Sequence, residues 1–186
     1  MALNIRAGIA VALALGVASL VAPSLADEQN GGTSMDVAGA ASTAPDFVGI
    51  SNWFNSPPLK MADLRGKVVL VDFWTYACYN CANTLPYVTK LYSDYKDKGL
   101  VIVGVHTPEF PYESSAANVQ AALKRYGIQY PVAQDNDSAT WDAYHNQYWP
   151  AQYIVDQSGK IVFFHAGEGQ YNEIERTIRS LLNASS

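Results

Sequence analysis

The stretch "KVVLVDFWTYACYNCANTLPYV", Lys67 to Val88, carries the chain's two cysteines, Cys78 and Cys81, just beyond an apolar run. Val68 to Trp74 is almost continuously apolar and rich in β-branched residues, a pattern that predicts a strand buried on both faces. From Asn80 to Lys96 the residues Leu85, Val88, Leu91, Tyr92 and Tyr95 fall near one helical face, so a helix is expected to follow. Cys78 then lies at or beside a helix N-terminus. Unsatisfied backbone N–H groups and the helix macrodipole favour a thiolate there. First thiols of C-x-x-C sites have pKa values anywhere from about 3.5 to about 7. Cys81, one turn further in, is less exposed and close enough to attack a mixed disulfide. The spacing supplies an attacking thiol and a resolving one.

Other uses of the pair fit less well. A zinc site takes four ligands, and the histidines His106, His145 and His165 are scattered. Haem attachment needs His after the second cysteine, where this chain has Ala82. A structural disulfide across so short a loop removes little chain entropy. No metal is expected, and no cofactor beyond the Cys78–Cys81 redox pair itself.

Outward from this segment, Gly99 to His106 reads as a second buried strand, Ser114 to Tyr126 as a helix and "YPVAQD" as a short strand or loop. Ser138 to Asn146 suggests a short helix. "QYIVD" and "KIVFFHA", joined through Gln157-Ser158-Gly159, read as a hairpin, and Asn172 to Leu182 as a final helix. Upstream, "FVGISNWF" (Phe47 to Phe54) suggests an additional strand and Pro57 to Lys67 a turn-rich connection. Strands alternating with helices and then a hairpin imply an α/β domain with a mixed sheet covered on both faces. The compact signals begin at Pro45, so one domain is expected over 45–186.

The first residues read differently. Met1 to Arg6 carries one positive charge, Ile9 to Ala22 is apolar, and small residues stand at Ser24 and Ala26. A cleavable signal peptide over 1–26 is expected, with an uncleaved membrane anchor facing the periplasm as the alternative. Asp27 to Ala44 is small and polar and is expected to be a flexible linker. The destination is the periplasm or beyond. Of 186 residues, 49% are hydrophobic and 16% charged, with a net charge of −5. That balance fits one globular domain and argues against nucleic acid as a partner.

"VVLVDFWTYACYNC" followed by Pro86 resembles the active-site segment of the thioredoxin superfamily. "PPLKMADLRGKVVLVDFW" and "HTPEF" resemble its exported TlpA-like and DipZ-like thiol:disulfide oxidoreductases. The resemblance implies a thioredoxin fold from Pro45 onward. It also implies that Asp72, six residues before Cys78, is a buried acid of raised pKa that takes the proton from Cys81. Pro86 would shape the active-site helix, and Trp149-Pro150 in "YWPAQYIVD" would form the cis-proline loop beside the thiols. Trp74 and Thr75 complete the surroundings of the pair. Ala77 stands where thioredoxin has Trp, and Thr84 where the cytochrome-maturation reductases carry Glu. Tyr76, Tyr79 and Trp149 would either form an aromatic rim for a peptide or be exposed by chance among 12 tyrosines. Glu109 would tune the thiols or be a solvated loop residue.

Protein thiols and disulfides are the expected partners, with a membrane-embedded thiol reductase reloading a monomer. Two rival functions stay open. Thr75-Tyr76-Ala77-Cys78 matches the T-x-x-C of peroxiredoxins, and the fold could also serve as a non-catalytic docking module.

Overall fold

In the computed structural model, strand β3 (Val68–Trp74) is the centre of the sheet, and every one of its residues is buried. The structure describes residues 34–35 and 42–184, so the expected signal peptide lies outside them. Six further strands surround β3: β1 (Ser34–Met35), β2 (Asn52–Phe54), β4 (Leu100–His106), β5 (Val132–Gln134), β6 (Ala151–Val155) and β7 (Ile161–Ala166). They form one mixed sheet in the order β1-β7-β6-β3-β4-β5-β2. β4 runs parallel to β3, and β6 antiparallel. The helices are α1 (Tyr79–Tyr95), α2 (Ala116–Tyr126), α3 (Ala139–Ala143) and α4 (Tyr171–Asn183).

Side-chain alternation along β3 feeds two cores. Val68, Leu70 and Trp74 pack with Leu85 and Val88 of α1, Val119 of α2, and Ile174 and Ile178 of α4. Val69, Val71 and Phe73 face the opposite way, against Met61, Leu64, Tyr144 and Tyr153. A strand buried on both faces has no position for a solvated polar residue, and yet Asp72 sits in the middle of this one. It shares the α1 side with Leu70 and Trp74.

Two expectations change. Only Asn52–Phe54 of the segment 47–54 is strand, and upstream Thr140 takes up both backbone groups of Val48: its hydroxyl accepts from Val48 N at 2.9 Å and donates to Val48 O at 2.7 Å. Gly49 adopts a left-handed φ of 66°, and a Cβ there would lie 2.6 Å from that of Ala139. The segment expected to be a flexible linker, 27–44, supplies two points of sheet pairing. Ser34–Met35 pairs with β7, and Thr43 bridges Lys160. Backbone pairing to an open sheet edge needs no apolar side chains, so a polar, weakly hydrophobic segment can take part in it.

Candidate active site

Strand β3 ends at Trp74 and α1 begins at Tyr79, leaving Thr75 to Cys78 to turn the chain. Cys78 is the N-cap of α1, with φ −76° and ψ 122°, and its sulfur accepts a hydrogen bond from Cys81 N at 3.2 Å. The first turn of α1 contains no acidic residue to oppose a negative charge there. Both cysteines are free thiols; Cys78 is half-buried and Cys81 is 1% exposed.

The two sulfurs are pushed in opposite directions. Cys78 is lowered to about 7, chiefly by its hydrogen bond with the Cys81 thiol and further by the N–H groups of Cys81 and Asn80. Burial and the Glu109 charge oppose that fall. Cys81 is raised far above the ordinary thiol range, first by burial and then by its bond to Cys78. At neutral pH one sulfur is substantially thiolate and its neighbour is a thiol.

Asp72 lies beneath this pair. It is 1% exposed and flanked in register by Gly104 of β4 and Gln152 of β6. Burial raises its carboxyl to about 7, partly offset by a hydrogen bond from Gln152 Nε2 to Oδ1 at 3.1 Å. Gly104 keeps that neighbourhood open. A Cβ there would lie 3.0 Å from the indole nitrogen of Trp74 and 3.1 Å from the Tyr130 ring. The charges of Asp72 and Cys78 each contribute to raising Cys81.

The remaining expected residues fall into three groups. Tyr79 is 78% exposed at the start of α1, whereas Tyr76 is half-buried, stacks on His106 at 5.5 Å, and donates its hydroxyl to Tyr112 O at 2.9 Å. The Trp149–Pro150 bond is cis. Trp149 stacks on Trp141 at 4.1 Å and donates its indole N–H to Thr107 O at 3.0 Å. Trp74 is buried edge-on to His106 at 5.2 Å. Pro86 is an exposed position inside α1. Glu109 is exposed, and its charge reaches Cys78.

Glu113 is the residue that sequence reasoning missed. It has 0% exposure, and four donors converge on its carboxylate. Thr75 Oγ1 and Ala77 N reach Oε1 at 2.5 and 3.2 Å, while Glu109 N and Phe110 N reach Oε2 at 2.7 and 2.8 Å. Thr75 therefore donates its hydroxyl hydrogen bond to Glu113, and its oxygen also meets His106 Nε2 at 3.3 Å. Burial lowers His106 to about 4, so the ring is neutral at pH 7. The signal available in the sequence was local. Pro111 and Glu113 open the short 3-10 helix Pro111–Ser114 in the manner of a helix N-cap, but nothing in that pattern announces a reach to residues 75–77.

Residues 40–164 match the AhpC/TSA family. Over 144 residues the chain is 49% identical to protein DipZ of Mycobacterium tuberculosis, covering 76% of this chain and 21% of DipZ. It thus spans about a fifth of that relative's length. It is 28% identical over 138 residues to the thiol-disulfide oxidoreductase YkuV of Bacillus subtilis, covering 74% of this chain and 93% of YkuV. A thioredoxin-like protein solved in its oxidized form superposes with a TM-score of 0.71 at 27% identity, covering 78% of this chain and 98% of that one. With two thiols at a helix mouth in this fold, the chain belongs to the AhpC/TSA family, in its thioredoxin-like, TlpA/DipZ-like branch.

Proposed function

We propose that the chain is an exported thiol:disulfide oxidoreductase that reduces protein disulfides, with Cys78 attacking and Cys81 resolving. One observation carries the reading: a half-exposed sulfur lowered to about 7 sits beside a buried one raised far above it, over a carboxyl at about 7. The Cys78 thiolate attacks one sulfur of a substrate disulfide. A Cys78–substrate disulfide forms, and the other substrate sulfur leaves as a thiolate. Asp72 takes the Cys81 proton, and the Cys81 sulfur attacks Cys78, releasing the second substrate thiol. The protein is left with a Cys78–Cys81 disulfide and the substrate has gained two electrons. A membrane-embedded thiol reductase then returns two electrons to the monomer by the reverse exchange.

Several features support the reductive direction and the substrate class. Tyr79 and Asn80 between the cysteines carry no charge, and Glu109 opposes thiolate formation. Stabilising the thiolate less makes a dithiol more reducing. Tyr79, 78% exposed and next to Cys78 in the chain, offers aromatic surface for a peptide. The peroxidase reading loses support at Thr75, whose buried hydroxyl is committed to Glu113 rather than free to orient a peroxide on Cys78. A docking module has no use for opposed thiol acidities.

A Cys81→Ser variant of the full chain, expressed with its leader, should accumulate client proteins as mixed disulfides through Cys78. Mass spectrometry of the trapped species should identify protein clients and a mature N-terminus at Asp27. A variant that reacts with hydrogen peroxide and traps no client would contradict the exchange reading; an intact Met1 would contradict cleavage.

A further inference from the structure

We propose that Glu113 is a positioning residue of the exchange reaction, tying the loop that presents Cys78 to the loop that follows β4. The proposal rests on Cys78 being the attacking thiol. Capping of the short 3-10 helix accounts for the bond from Phe110 N. It does not account for full burial of the carboxylate, nor for Oε1 facing away from that helix to meet Thr75 and Ala77. Ala77 is the residue immediately before the nucleophile, and Cys78 N in turn donates to Thr75 O at 3.4 Å. Both ends of this short approach to the sulfur are therefore fixed by a single side chain.

The loop that holds Glu113 also reaches the other parts of the site. Thr107 O receives the Trp149 indole N–H, Tyr112 O receives the Tyr76 hydroxyl, and Glu109 reaches Cys78 by its charge. Two chain segments distant in sequence, 75–78 and 149–150, meet on this loop of residues 107–113. Placing Glu113 under them fixes the approach of Cys78 relative to the surface on which a peptide would lie. Catalysis depends on such geometry being held in advance.

The chemistry of glutamine makes the proposal testable. A carboxylate presents acceptor oxygens to both loops, whereas a glutamine amide presents one oxygen and one N–H₂ group. Glu113→Gln can satisfy one loop but sets a donor against the N–H groups of the other. With residues 75–77 no longer pinned, the Cys78 sulfur loses its fixed placement at the helix mouth and its thiolate is held less well. That loss outweighs the relief from removing a carboxylate whose charge four donors already offset.

In the full chain, Glu113→Gln should slow alkylation of Cys78 by iodoacetamide at pH 7 about tenfold, the loss expected from one charge-assisted hydrogen bond. It should also shift the exchange equilibrium with glutathione about tenfold towards the disulfide, a midpoint about 30 mV more negative. Thr75→Val removes one of the four bonds and keeps the branched shape, so it should move both readouts in the same direction by a smaller factor. A folded Glu113→Gln protein with wild-type alkylation and potential overturns the proposal. If that variant does not fold, unchanged alkylation and potential in Thr75→Val overturn it instead. Failure of the underlying reading looks different, because Cys78 would then be unreactive in the wild type as well.

Discussion

Asp72→Asn is expected to stabilise the protein above pH 7 by up to about 4 kcal/mol while slowing turnover about a hundredfold. The stability change follows from linkage. The Asp72 carboxyl is raised in the folded protein from 3.8 to about 7, so the folded state holds its proton more tightly than the unfolded chain. Below pH 4 both states are protonated and the group costs nothing. As pH rises from about 4 to about 7 the unfolded chain gives up the proton and the folded state does not, so stability falls. Above 7 the full cost of a buried charge is present, and about three pKa units correspond to about 4 kcal/mol. Asparagine keeps an acceptor for Gln152 and carries no such cost. In the difference in unfolding free energy between variant and wild type, the contributions of His106 and the two thiols cancel. Denaturant titrations should therefore give a difference near zero at pH 4 and about 4 kcal/mol at pH 9.

The kinetic half of this prediction falls on the second step alone. Cys81 is raised far above neutral pH by burial, and it cannot attack until its proton has somewhere to go. A positioned general base supplies on the order of 10²–10⁴ in rate. Mixed disulfide should therefore accumulate in Asp72→Asn during insulin reduction, with alkylation of free Cys78 little changed. Equal slowing of both steps would assign Asp72 to shaping the strand rather than to moving a proton.

Cys78→Ser is expected to reduce disulfide exchange to the background rate of the buffer, even though one thiol remains. The remaining sulfur, Cys81, has two barriers to reaction. It is 1% exposed beneath the start of α1, so a substrate sulfur has no line of approach, and burial keeps it protonated at neutral pH. The thiolate is the nucleophile, and removing Cys78 leaves none. Alkylation should be undetectable in the folded variant and should appear once guanidinium unfolds it. Cys81→Ser should behave the opposite way, reacting fully through Cys78 in the folded state. Residual exchange in Cys78→Ser would mean that Cys81 opens to solvent.

Much of the fold is legible where one segment carries its own pattern. Val68 to Trp74 announces a central strand because apolar β-branched residues fill both faces, and the structure places the strand over those same residues. The helix that follows begins at Tyr79, one residue ahead of expectation, because Cys78 itself serves as the N-cap. Residues 47–54 mislead, since they suggest a short strand throughout while Thr140, far along the chain, takes up the hydrogen bonds of Val48. The site divides in the same way. The C-x-x-C pair and Asp72 lie within a dozen residues of one another, and one strand and one helix are enough to relate them. Gln152, Gly104 and Tyr130 meet Asp72 only through the register of β3 with β4 and β6 and the packing above it. Glu113 meets Thr75 only through a loop crossing above the sheet. Such contacts depend on pairing between distant segments, which no short window of sequence contains.

The titration of Cys78 itself bears most directly on this account. In the reduced wild-type protein, the rate of iodoacetamide alkylation at Cys78, followed by peptide mass spectrometry from pH 4 to pH 10, should rise with a midpoint near 7, and oxidation should close the Cys78–Cys81 bridge. A midpoint near 9, the value of an ordinary thiol, with the pair remaining unbridged under mild oxidant, would contradict the claim that the helix mouth holds a reactive thiolate.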